Sequence, residues 1–460
     1  MYRSHSRTHS SASNGIPDGF VSQLDDRITG TLPANVTPIN FVKMAKPVFK
    51  FGGTVSHPQM TNWSKVDRQV AMIKTGTSKI AAEALATQHV GRPFNTPIER
   101  VRAVFMWIAT NVQYDTSPPP ENTDEYEQQE LPNAVVQRKR SRGAGYAYLF
   151  KAMMDALGIE CQTISGYMRQ PLDGYRGAVL PVPNHVWNSV CLDGEFRLVD
   201  TACAARSHIM NLTSKTDPWF FLATPKELIY THYPSQPEQQ YLDPVVPLPI
   251  FWMLPYVRPA FFQNKVKLLN LPHIPRIELK DEEVRPLVLC LRDSTLAVFA
   301  EVELHDSNGS GRIVARQPLL AQCVDYRGQR MVKILVGVRG QDVRGLVKVY
   351  CGTRLALQPP RASDGSMPAS PKTAQKLLGF LHNKEKRSAT GADYSRIKDV
   401  DEEGNIKTIA TSKTYPLACM FPVVHTGRPC VAPFVQPNAA TPNEFYIKEP
   451  AEGEFRLGES

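Results

Sequence analysis

Apolar positions along this chain change their spacing several times, and each change predicts a different kind of element. From Thr96 to Thr110, Val101, Val104, Phe105 and Ile108 recur at helical spacing. Thr96 as N-cap, Pro97 at the first helical position and Glu99 three residues after the cap predict a well-capped start. A second stripe, Tyr146, Phe150, Met153, Met154 and Leu157, predicts a helix over 144–157 that Gly158 terminates. The stretch from Trp63 to Thr87 is helical in pattern and mildly apolar. The spacing then falls to alternation, giving strands over Cys161–Tyr167, Val186–Leu192 and Glu195–Asp200. Asp193-Gly194 between the last two predicts a tight two-residue hairpin. Polar, Pro-rich loops are expected at 116–133 and 170–184.

Further along, residues 217–275 are aromatic and Pro-rich, as in Pro218-Trp219-Phe220-Phe221-Leu222, which suits an irregular cover over a core. Short alternating runs at Leu296–Leu304, Met331–Val338 and Leu346–Cys351 alternate with turn clusters such as Ser307-Asn308-Gly309-Ser310-Gly311. They predict an immunoglobulin-like antiparallel β-sandwich. The expected organisation is a disordered tail over 1–45, an α+β core over 46–235 and a cover segment over 236–276. A β-sandwich-like module follows over 277–357, then a Pro/Ser/Gly linker over 358–376. A second, partial β-module occupies 377–460, with strands at Tyr415–Phe421 and Glu444–Lys448.

Composition narrows the class. With 460 residues the chain is too long for one core, and 42% hydrophobic against 21% charged residues is the balance of a globular protein. No run of about 18 apolar residues occurs, so no membrane span is expected. The N-terminus lacks an apolar h-region, so no secretory signal is read there. Its Arg- and Ser-rich start resembles an organelle presequence only weakly. The eight cysteines are scattered, without a CxxC or a Cys/His cluster, so neither zinc nor a disulfide framework is indicated and a cytoplasmic location fits. The net charge of +9 is modest; its one dense patch, Arg138-Lys139-Arg140-Ser141-Arg142, reads as a solvated loop, with nuclear import, an acidic partner or nucleic acid as the other readings. Without interleaved aromatics, nucleic acid is not the expected partner.

The chemistry concentrates between Ser141 and Asp200. A thiol nucleophile needs a helix N-terminus that favours thiolate, a histidine within reach and a carboxylate to orient that ring. In a hairpin about Asp193-Gly194, paired residues sum to 387, so Asp200 faces Trp187 and His185 is its diagonal neighbour on the same face. The pattern fits a base with its orienter. It equally fits a core histidine with a strand-end aspartate.

Several ordered motifs resemble the transglutaminase-like family, in its kyphoscoliosis peptidase and hillarin branch. Gly143-Ala144-Gly145-Tyr146-Ala147-Tyr148-Leu149-Phe150 resembles the family's Cys-x-Gly-Tyr-Ala-x-Leu-Phe helix start. His185-Val186-Trp187-Asn188 and Leu198-Val199-Asp200-Thr201 match its His-x-Trp-Asn and Leu-Val-Asp-Thr. Trp107 through Tyr114-Asp115, and Phe220 to Pro234, resemble the flanking stretches, so the likeness covers about residues 95–270. The resemblance implies a papain-like core of helices on an antiparallel sheet; no cofactor and no metal are expected. It implies His185 as base and Asp200 as its orienter, supported by Gly145, Tyr146, Trp187 and Asn188.

Two departures stand out. The nucleophile position is Gly143, and Thr201-Ala202-Cys203-Ala204 replaces the usual Thr-Thr-Trp-Gly. Cys161 and Cys203 do not occupy the helix start, and Cys191 lies about 20 Å along the strand from His185. Ser141 reaches that ring only if its loop rearranges. The resulting expectation is a pseudoenzyme that binds proteins or peptides, of cytoskeletal or muscle-associated kind by the resemblance, in the cytoplasm or on the cytoskeleton. The alternative is a cysteine-type acyl-transfer enzyme, peptidase or transglutaminase, with a displaced nucleophile.

Overall fold

The computed structural model describes residues 38–44, 46–47, 62–73, 80–171, 182–209, 215–269, 276–292, 295–306, 312–326, 329–353, 397–400, 406–410 and 415–430. These fall into two compact units, Met1–Leu254 and Pro255–Ser460. The linker at 358–376 and the strand at Glu444–Lys448 lie outside the described residues.

In the first unit, α1 (Ser64–Ala71) and α2 (Pro97–Asn111) pack together. The capping box at the start of α2 is complete: Glu99 N–H donates to Thr96 Oγ1, and the Glu99 carboxylate accepts from the Thr96 N–H and hydroxyl. Val101, Val104, Phe105 and Ile108 are buried, as their spacing predicts, and so are Ala103 and Trp107. Arg102 is buried as well, because Asp67 of α1 takes its guanidinium at 2.8 and 2.9 Å while the ring of Phe221 lies 4.9 Å away.

The loop expected over 116–133 contains instead α3 (Thr123–Glu130), and α4 (Pro132–Arg138) follows directly. Asn122 caps α3 through Asp124 N–H, and Pro132 opens α4 at its first turn. Their polar sequence, Thr-Asp-Glu-Tyr-Glu-Gln-Gln-Glu in α3, carries almost no apolar stripe from which to read a helix. A helix over Pro38–Met44, with Ile39 and Val42 buried, likewise stands within the stretch read as tail.

Helix α5 (Gly143–Ala156) is the central element, packed on the sheet by Tyr146, Leu149, Phe150, Met153 and Met154. It ends in a Schellman motif. Gly158 adopts a φ of +70° and donates to Asp155 O, and Ile159 N–H reaches back to Met154 O. The sheet consists of β1 (Cys161–Met168), β2 (His185–Leu192), β3 (Glu195–Val199) and β4 (His232–Pro234), all antiparallel in the order β3-β2-β1-β4. Asp193 and Gly194 both have positive φ, the geometry of a tight primed turn, and Asn188 pairs with Val199 in the expected register. Asp200 is one residue past the strand and caps the short helix α6 (Thr201–Ala204).

The aromatic cover is divided at the boundary between the units: helix Leu248–Met253 belongs to the first and helix Pro259–Gln263 to the second. The second unit contains β5 (Ile277–Lys280), β6 (Arg285–Leu291), β7 (Leu296–His305), β8 (Ile313–Pro318), β9 (Leu320–Tyr326), β10 (Gln329–Val336), β11 (Val343–Thr353) and β12 (Leu417–Thr426). One sheet runs Lys267–Leu268, β6, β10, β9, the other β5-β12-β11-β7-β8, and β7 lies against β9 and β10. One expectation is corrected here: the strand read at Tyr415–Phe421 does not start a separate module, since β12 pairs with β11 on one side and β5 on the other. Strands within 277–357 pair antiparallel, and β12 joins β5 in parallel from outside that range.

Candidate functional site

The site forms where the start of α5, the start of β2, the end of β3 and the start of β4 converge. Gly166 of β1 pairs with His185 on one side and Pro234 on the other, and the Trp187 ring lies where a side chain at Gly166 would stand. His185 Nε2 donates to Asp200 Oδ2 at 2.6 Å. The other carboxylate oxygen, Oδ1, accepts from Cys203 N–H at 2.8 Å, so capping α6 fixes the aspartate that faces the imidazole. The opposite edge of the ring faces Gly143: a Cβ built there would lie 3.0 Å from His185 Nδ1 and 3.4 Å from Cε1. The imidazole therefore bridges a fixed carboxylate and a helix N-terminus that carries no side chain.

A second histidine joins them. His232 Nε2 contacts the same Asp200 Oδ2 at 3.0 Å, and its Nδ1 stands 2.8 Å from Thr231 Oγ1. The two rings are 5.5 Å apart; Trp187 stacks near His185 and meets His232 edge-on. Burial pushes the Asp200 carboxyl up, but the two imidazoles outweigh it, His185 foremost, and hold it well below the usual carboxylate range. His232 is not visible as a site residue in the sequence, because it comes 32 positions after Asp200 on a three-residue strand.

The frame residues have distinct tasks. Tyr146 Oη donates to Val112 O at 2.7 Å, tying α5 to the end of α2. Asn188 Nδ2 donates to Ala147 O at 3.1 Å, tying α5 to β2. Gly145 N–H donates to Glu130 Oε2 at 2.7 Å, and that buried carboxylate also accepts from Ser141 Oγ and from Arg142 N–H. Glu130 supplies the negative charge that the helix N-terminus attracts, a role the N-cap residue Arg142 does not fill with its own side chain. Only the fold reveals this, since Glu130 precedes the helix by a whole segment.

Other candidate nucleophiles are placed elsewhere. Ser141 is committed to Glu130. Burial pushes the Cys161 thiol up to about 12, and the Cys191 thiol is also raised, by burial and then by Glu160. Cys203 Sγ is 4.0 Å from His185, but on the Nε2 edge that Asp200 already occupies. The basic run is partly internal: Arg138 and Arg142 direct their guanidiniums at Asp115, at 3.6 and 3.9 Å. Among the described residues no helix is long and apolar enough to cross a membrane.

Residues 85–201 match the model of the transglutaminase-like superfamily. Among curated proteins, the chain is 25% identical over 355 residues to cytokinesis protein 3 of Schizosaccharomyces pombe, covering 75% of this chain and 38% of that one. It is 27% identical over 215 residues to the Homo sapiens kyphoscoliosis peptidase, covering 45% and 30%. To hillarin of Drosophila melanogaster it is 28% identical over 261 residues, covering 52% and 30%. The chain thus spans between 30% and 38% of the length of these relatives.

Proposed function

With a transglutaminase-like core at residues 85–201 as premise, we propose that this protein is a catalytically inactive member of that fold that works by binding proteins. The observation that carries the reading is at Gly143. The position where the family's thiol would stand is within 3.0 Å of His185 Nδ1 counted from a Cβ, and it has no side chain. A base and an orienter without a nucleophile cannot form an acyl-enzyme. The names of the relatives include a cytokinesis protein, which supports a cytoplasmic, cytoskeleton-associated role for this chain with protein or peptide partners. A pull-down with the full chain against its first unit, Met1–Leu254, assigns the binding surface to one unit or the other.

The test of inactivity is chemical. The wild-type protein should show no His185-dependent labelling by iodoacetamide-type or fluorophosphonate probes. Gly143→Cys should restore a thiol that alkylates roughly tenfold or more faster than Cys161, since a helix start and a neighbouring imidazole both favour thiolate. Because the new Cβ meets His185 at 3.0 Å, the ring must give by a few tenths of an ångström. Equal alkylation rates for the introduced thiol and for Cys161 would show that the helix start no longer activates a thiol.

A second reading rests on Cys203, whose Sγ lies 4.0 Å from His185 Nε2. It casts Cys203 as a displaced nucleophile for acyl transfer. Wild-type labelling at Cys203 that disappears in His185→Ala would favour that enzyme and end the inactive reading.

A further inference from the structure

Four side chains with metal-binding atoms meet at the floor of the site: His185, Asp200, Cys203 and His232. Their donor atoms all lie within 4.8 Å of one another. None of the four residues is more than 4% exposed. They come from β2, the β3–α6 junction, α6 and β4, so the sequence gives no hint of the cluster. Neither reading of the acyl-transfer frame uses all four, and both leave His232 without a part.

We propose that these four residues form a structural zinc site. The donor set is two imidazoles, a thiolate and one carboxylate oxygen, the borderline-soft mixture that suits Zn²⁺ and not Mg²⁺ or Ca²⁺, which take oxygen ligands. The charges close: Asp200 and Cys203 contribute one negative charge each against the divalent ion, leaving a neutral buried centre. Bonds of about 2.0–2.3 Å place donors around a tetrahedral ion roughly 3.3–3.8 Å apart. The separations here bracket that range, at 2.6 Å for His185 to Asp200, 3.0 Å for His232 to Asp200 and 4.0 Å for Cys203 to His185. Binding opens the first two and closes the third, each by less than about 1 Å.

Supporting contacts are in place as well. Thr231 Oγ1, at 2.8 Å from His232 Nδ1, orients that ring, and Cys203 N–H holds Asp200 Oδ1. The proton balance closes: the ion replaces the Nε2 protons that His185 and His232 direct at Asp200, each neutral ring moving its proton to Nδ1, and Cys203 releases its thiol proton to solvent. Four protein ligands leave no open position, so the ion holds the core together and does no chemistry. The site gives His185 and Asp200 a use that does not need residue 143, and it does not depend on which partner the protein binds.

The test uses the full chain, untagged, exchanged against one equivalent of zinc sulfate and then desalted. Elemental analysis should find about one zinc per chain, and Cys203→Ala and His232→Ala should each lower retention about tenfold or more. Cobalt-loaded wild-type protein keeps the test independent of whether the variants fold. It should show a sulfur-to-cobalt charge-transfer band in the near ultraviolet and intense visible bands of a tetrahedral ion. Absence of the charge-transfer band, zinc below about 0.1 per chain in folded wild-type protein, or undiminished retention in a folded Cys203→Ala variant would each overturn the proposal. Alkylation of Gly143→Cys is read in chelator-treated protein, so loss of the zinc site and failure of the inactive-enzyme reading give separate results.

Discussion

Asp200 carries more of the site than any other residue, because one buried carboxylate accepts from two imidazoles and one backbone N–H. Asp200→Asn keeps its shape and removes its charge, and should cost about 3 kcal/mol or more, as breaking a buried charged network does. The pH dependence follows from its depressed pKa. The unfolded value is about 3.9 and the folded value lies below it, so the contribution is fully present above about pH 4 and drains away as pH falls through the folded value. In chelator-treated protein, urea midpoints should show a wild-type advantage over Asp200→Asn that is constant from about pH 7 to 5 and shrinks below about pH 4. An advantage that stays level down to about pH 3 would mean the charge is not what Asp200 contributes. At this scale the hairpin register that brings His185 beside Asp200 was legible from Asp193-Gly194. His232 and Glu130 were not, because each reaches its partner only through a fold-level approach between distant segments.

The start of α5 shows how one helix end is held by a residue outside it. In an exposed helix interior, Gly→Ala stabilises by up to about 1 kcal/mol. At Gly145 the sign should reverse: a Cβ there would stand 2.6 Å from Glu130 Oε2, and closer still to Ser141 Oγ. Gly145→Ala should therefore destabilise by roughly 1–3 kcal/mol, seen as a lower thermal midpoint, because the clamp must open to admit the methyl group. An unchanged or higher midpoint would show that Glu130 can yield without loss. Among the elements, those written by local rules were legible: the Thr96 capping box, the Gly158 terminus and the Asp193-Gly194 turn each need only a few neighbouring residues. Helices α3 and α4 were not, since their stability comes from packing on α5 and not from an apolar stripe of their own.

At the scale of the whole molecule, the strand order of the second unit decides what can be cut. Strand β12 supplies the parallel neighbour of β5 and the antiparallel neighbour of β11, and it also pairs with Tyr256–Val257. Residues 255–357 expressed alone should fail to form a cooperative fold, whereas 255–430 should melt in a single transition by circular dichroism. A cooperative melt of the shorter piece would mean that β12 is dispensable. The periodicity of β12 was readable; its place in the sheet was not, because hydrophobic alternation identifies a strand without naming its neighbours.

That same strand sets a clock on biosynthesis. The ribosome releases β11 at Thr353 and does not finish β12 until Thr426. At about 5–20 residues per second, the gap lasts roughly 4–15 s. Throughout that interval β11 presents an unpaired, apolar edge on one side, open to any other nascent strand. Synthesis slowed between these two strands should therefore raise the aggregated fraction of the newly made protein, while the mature sheet, once closed, is indifferent to how quickly it was made.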